Sequence, residues 1–193
     1  MTSPALFLDR DGVIIANRPE YVRFVEDIRY LPGSLQSIAR ASSTRLRIAI
    51  ISNQSAVGRG IITKQRAEDI QQSVVDAIES AGGRVDGSFL CFHQPADNCD
   101  CRKPKPGLLH QAAEALGIDL PRSILIGDAA SDMRAGINAN IGSLAMLRTG
   151  LGKAQQASLS PAERSQIQVF DNLEDAIAGL IPSTNDRSTI PLE

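Results

Sequence analysis

No sign of charge dominates this sequence, no apolar run is long, and cysteine is scarce. Each shortage closes off a class of function. Lysine and arginine number 20 against 22 acidic residues, a formal net charge of −2. A chain so balanced advertises no polyelectrolyte partner, so neither nucleic acid nor an anionic membrane surface is expected. No stretch approaches the roughly 20 apolar residues that a membrane-spanning helix needs. The opening "MTSPALFLDRDG" has no basic leader and meets charge at Asp9, unlike a secretory signal. A cytoplasmic monomer is therefore the expectation. Three cysteines, an odd count clustered in a compartment where disulfides are rare, favour metal binding over bridging. Repeats, low-complexity tracts and interdomain linkers are likewise missing.

What is present is an alternation. At 193 residues the chain is long enough for one domain with a sizeable core. "ALFLD" (5–9), "RIAIIS" (47–52), "SFLCF" (88–92), "SILIGD" (123–128) and "SLAMLR" (143–148) have the composition of strands buried on both faces. Between them Ile70, Val74 and Ile78 recur at helical spacing, with Thr63 placed to cap and Gly82-Gly83 to end that helix. Leu109, Ala112, Ala113 and Leu116 mark a second helix between Pro106 and Gly117. Ser131 is placed to cap a third and Asn172 a fourth. The pattern predicts an α/β fold, a doubly wound parallel sheet over residues 1–181, with 182–193 as a frayed tail.

Ligands of such sheets bind at the carboxyl ends of the strands. Here those ends read Asp9-Arg10-Asp11, Ser52-Asn53-Gln54, the cysteine stretch running into Arg102-Lys103, and Gly127-Asp128. Asp9 and Asp11, two apart, face one side, and Gly12 lets the chain turn away. Asp128 adds a third acid, and Asp132 lies one helical turn on, where it also suits the helix dipole. Packed carboxylates call for a cation, and an oxygen-only set suits Mg²⁺. "SNQSAVGRG" offers hydroxyl, amide and turn N–H groups to an anion. Lys103 on a loop stiffened by Pro104 and Pro106 offers a point charge, and Arg102 a fork. Turn-forming acids and a solvated basic loop are the plain alternatives.

"CFHQPADNCDCRKP" (91–104) holds all three cysteines. Cys91-x-His93, five residues, then Cys99-x-Cys101 supplies three sulfurs and a nitrogen across a short loop, a pattern suited to tetrahedral zinc. Three free thiols, or a strained Cys99–Cys101 bridge, are the alternatives. Four protein ligands would leave no open position, so such a zinc would fold the loop and fix Arg102-Lys103 rather than catalyse.

"DRDG", "SNQ", "RKP" and "GDAASD" occur in an order that resembles the haloacid dehalogenase superfamily of phosphohydrolases, over about residues 5 to 150. The resemblance implies a Rossmann-like phosphatase whose Asp9 attacks phosphorus and whose Asp11 exchanges protons with the leaving oxygen and then with water. It implies Mg²⁺ on Asp9, Asp128 and the Asp11 carbonyl, with Ser52 and Lys103 steadying the phosphoryl group and Asp132 in support. Too few residues lie between these motifs for a cap domain. Specificity then falls to short loops carrying Arg18 and Tyr21, to Asn53, Gln54 and Ser55, and to Arg102. Within the family, "NQS" with "GRG", "CRKP" and "RTG" (148–150) are most similar to the branch that hydrolyses heptose bisphosphates, implying a small phosphorylated sugar cut at its 7-phosphate. Ala129, where that branch commonly has lysine, and the five-residue ligand spacing are departures, and histidinol phosphate is the second candidate substrate. A phospho-receiver domain or a zinc-stabilised binding module fits the placement of the acids less well.

Overall fold

Apolar residues at alternate positions of the strands build two cores, one on each side of a single sheet. The structure, a computed structural model, describes residues 2–181; the expected tail lies outside them. The strands are β1 (Ala5–Leu8), β2 (Arg47–Asn53), β3 (Gly87–Cys91), β4 (Ile124–Gly127), β5 (Ser143–Leu147) and β6 (Ile167–Phe170), all parallel, in the order β3-β2-β1-β4-β5-β6. Leu6, Leu8, Ile48 and Ile50 point to one side, against α1 (Ser34–Ser42), α3 (Lys64–Ser80) and α8 (Leu173–Leu180). Ala5, Phe7, Ala49 and Ile51 point to the other, against α4 (Gly107–Leu116) and α5 (Ala130–Asn138). Shorter helices α2 (Ser55–Gly58), α6 (Gly152–Gln155) and α7 (Pro161–Arg164) complete the chain. This is the doubly wound arrangement expected of strands alternating with helices. No inserted cap domain interrupts it among the described residues, and none of its helices is long and apolar enough to cross a membrane.

The helix boundaries follow local chemistry. The Thr63 hydroxyl accepts the Arg66 N–H and starts α3, while Asn172 accepts the Asp175 N–H and starts α8. Gly117 ends α4 in the left-handed conformation. Three expectations need correction. Ser131 does not cap α5: the helix begins at Ala130, and the Asp132 carboxylate accepts the Ala129 N–H at 2.9 Å, which satisfies an orphan donor from inside the first turn. β3 is an edge strand and only Cys91 of its residues is buried, so it is not covered on both faces. β6, the opposite edge, is a sixth strand that the sequence pattern did not announce.

Candidate active site

β1, β2 and β4 lie side by side at the centre of the sheet, so the residues just beyond their carboxyl ends meet. Asp9, Asp11, Ser52, Lys103, Asp128 and Asp132 line one cavity of about 640 Å³, together with Arg18, Tyr21, Asn53, Gln54 and Arg102. At its floor the Lys103 ammonium, 3% exposed, stands 2.6 Å from Asp132 and 3.0 Å from Asp9 and donates to the Ile51 carbonyl. Burial disfavours its charge, but Asp132 and Asp9 outweigh this and hold its pKa above the usual lysine range. Losing Lys103 would leave Asp9 and Asp132 buried without their cation, at a cost of about 3–5 kcal/mol.

The carboxylates are the mirror image of that problem. Asp9, Asp128 and Asp132 each offer an oxygen within 4.8 Å of the others, and all three are buried. Burial pushes the Asp9 carboxyl up; Lys103 opposes this, Asp132, Asp128 and Asp11 add to it, and the result is about 8. Burial likewise raises Asp128 to about 6, against the Leu151 N–H that it accepts. Such a set resists being fully ionised unless a cation joins it, and its all-oxygen donors fit Mg²⁺.

The second metal-capable set joins the end of β3 to the loop after it. Cys91, His93, Cys99 and Cys101 bring three Sγ atoms and His93 Nδ1 within 4.8 Å of one another. The sulfurs are 3.1–3.7 Å apart and Nδ1 lies 3.3 and 3.7 Å from two of them. A disulfide needs about 2.05 Å, so the bridge alternative is excluded and the cysteines are free. Tetrahedral zinc with Zn–S near 2.3 Å and Zn–N near 2.0–2.1 Å places its donors roughly 3.5–3.8 Å apart, close to what is seen. Burial, hydrogen bonds and charge from Cys91 and Cys99 push the Cys101 thiol up to about 12; a bound cation would reverse that.

Several residues expected to meet substrate are already engaged. Asn53 spends its whole amide on Lys103, accepting its N–H and donating to its carbonyl, both at 3.1 Å. Ser55 lies outside the cavity lining and accepts from Arg102, whose Nη1 also donates to the His93 carbonyl. Gln54 bonds to Arg10, Asp11 and Ser52. Arg18 is exposed and pairs with Asp27 at 3.5 Å, while Tyr21 takes a positive φ of 64° in the same loop. The sequence reading missed Asn17, whose Nδ2 donates to Asp128 at 2.8 Å across 111 residues, and the Leu151 N–H, 2.8 Å from the same oxygen. Nothing local announces either. Arg10 was legible only as the residue between two aspartates.

The comparisons agree with this geometry. Residues 100–176 match the HAD-hydrolase-like family model. A Helicobacter pylori protein named D-glycero-beta-D-manno-heptose-1,7-bisphosphate 7-phosphatase is 40% identical over 72% of this chain and 81% of its own. A Neisseria meningitidis protein of the same name is 34% identical over 88% of this chain and 90% of its own. The crystal structure of a D,D-heptose 1,7-bisphosphate phosphatase from B. bronchiseptica, complexed with magnesium and phosphate, superposes with a TM-score of 0.85 at 30% identity, covering 92% of this chain and 98% of that one. Central strands that end in acids, a lysine held among them and relatives alike along nearly their whole length agree: the chain belongs to the haloacid dehalogenase-like hydrolases, among their phosphatases.

Proposed function

We propose that this phosphatase removes the 7-phosphate of a D-glycero-D-manno-heptose 1,7-bisphosphate, with Asp9 as nucleophile. The observation that carries the mechanism is the Lys103 ammonium 3.0 Å from Asp9, both buried at one cavity floor. An Asp9 oxygen forms a bond to phosphorus as the ester P–O bond breaks, and Asp11 gives its proton to the departing sugar oxygen. Asp11 then takes a proton from water, whose oxygen attacks the phospho-aspartate, freeing Asp9 and inorganic phosphate. Lys103 and Ser52 steady the transferred group, while Asn53 and Asp132 hold Lys103 in place. Asp9, Asp128 and the Asp11 carbonyl would hold Mg²⁺, which would supply charge neutralisation for the transferred phosphoryl. Cys91, His93, Cys99 and Cys101 would hold zinc, which would fix the loop that carries Arg102. Arg102 and Arg18 at the cavity wall suit the second, non-reacting phosphate, whose binding energy can position the first.

The test is a substrate panel: heptose 1,7-bisphosphate, the matching 7-monophosphate, other sugar phosphates and histidinol phosphate. The bisphosphate is expected to show the highest kcat/KM, with phosphate released only from the primary ester, and Asp9→Asn should lower every rate at least 10³-fold with the fold intact. Faster turnover of histidinol phosphate would replace the substrate, and an active Asp9→Asn would sink the mechanism.

A further inference from the structure

We infer that Arg10 and Gln54 are positioning residues for the Asp11 carboxyl, an inference that rests on the acid–base role given to Asp11 above. Arg10 heads the fully buried side chains by size and is only 1% exposed. It lies just past the end of β1, between Asp9 and Asp11. A guanidinium so placed is costly where its donors go unmatched; Nη1 has no hydrogen-bond partner, and Nε and Nη2 are matched to the site rather than to the core. Its Nε donates to Asp11 Oδ2 at 3.1 Å and its Nη2 to Asp11 Oδ1 at 3.3 Å. The same Nη2 donates to Gln54 Oε1 at 2.8 Å, and Gln54 Nε2 donates in turn to Asp11 Oδ2 at 3.0 Å and to Ser52 Oγ at 2.9 Å.

These three side chains close a ring of hydrogen bonds. The ring sets the Gln54 amide: reversed, it would face donor to donor at Arg10 and acceptor to acceptor at Asp11. It also distinguishes the two Asp11 oxygens. Oδ2 accepts from Arg10 Nε and Gln54 Nε2 and also lies 3.0 Å from Arg10 Nη2, whereas Oδ1 has one long contact. Oδ1 is thus the oxygen left to exchange a proton at the cavity, onto which the Asp11 side chain is 29% exposed. A general acid works only within hydrogen-bond reach of the oxygen it protonates, and a carboxyl free to rotate about two torsions would leave that reach.

Leaving groups separate this role from a merely structural one. A nitrophenolate departs without a proton, whereas a sugar alkoxide needs one, and kcat/KM reports steps only up to formation of the phospho-aspartate. In Gln54→Met and Arg10→Met, kcat/KM for the best alkyl ester of the panel is expected to fall at least tenfold more than for p-nitrophenyl phosphate, with the magnesium requirement unchanged. Should Arg10→Met fail to fold, Gln54→Met, similar in length and without the amide, decides. Asp11→Asn is the reference. If it lacks this leaving-group dependence, the acid–base reading of Asp11 fails. If it has it while Gln54→Met loses equally on both esters, or on neither, the positioning role is overturned and that reading stands.

Discussion

Asp128 is crowded from three directions. Asn17 and the Leu151 N–H donate to its Oδ2, and Gly12 and Gly150 press their backbones against the same carboxylate. A Cβ on Gly150 would collide with that oxygen and would stand 2.7 Å from the Gly12 Cα and 2.9 Å from Asn17. Gly150 also has a φ of +55°, which costs an alanine about 1–2 kcal/mol. Gly150→Ala is therefore expected to lower kcat about tenfold and to raise the magnesium concentration needed for half-maximal activity, read from a Mg²⁺ titration of turnover. At this scale the sequence showed the acids and cations but not their surroundings. Asp9, Asp128 and Lys103 stand out because strand ends and a proline-stiffened loop place them. Asn17 and Leu151 do not, because their partner is 111 and 23 residues away and no local pattern encodes such a meeting.

Among the elements, β3 and the loop after it form one mechanical unit. Cys91 is both the last residue of β3 and the first donor of the sulfur–nitrogen set, and Arg102 and Lys103 come directly after Cys101. The Lys103 backbone is then clamped to Asn53 at the end of β2. Cys99→Ser should release the loop from its metal end only. Zinc content is expected to fall from one per chain towards none, with kcat/KM for the sugar bisphosphate reduced about tenfold through a misplaced Arg102. Elemental analysis beside the kinetics checks this, and wild-type protein purified without chelator yet free of zinc would refute the assignment. Element boundaries were legible where chemistry punctuates them, as at Thr63, Gly117 and Asn172. They were obscured where one residue serves two purposes: Asp132 caps α5 and pairs with Lys103, so Ser131 looked like the better cap. β6 escaped notice because only half of a four-residue edge strand needs to be apolar, and "IQVF" alternates too briefly to register.

For the molecule as a whole, the two metal-capable sites differ in their surroundings, and chelation should separate them. The carboxylate set opens onto the cavity, and Mg²⁺ there would keep exchangeable waters; the sulfur–nitrogen set supplies all four ligands itself. Brief EDTA treatment is expected to abolish turnover that Mg²⁺ alone restores, while zinc stays bound by elemental analysis. A preparation that needs zinc to recover would contradict the division. The sheet order adds a consequence of another kind. With β3 at one edge, the backbone groups on its outer side have no neighbouring strand, and such an edge is a template on which another chain can build. Its residues Gly-Ser-Phe-Leu-Cys carry no charge to discourage that, and the chain runs from its last residue straight into the metal-capable cysteine loop. Protein stripped of the loop metal for long enough would expose a sticky border before its core melts. Turbidity on storage, rather than a lowered melting temperature, would then be the first sign that the cysteine loop had let go.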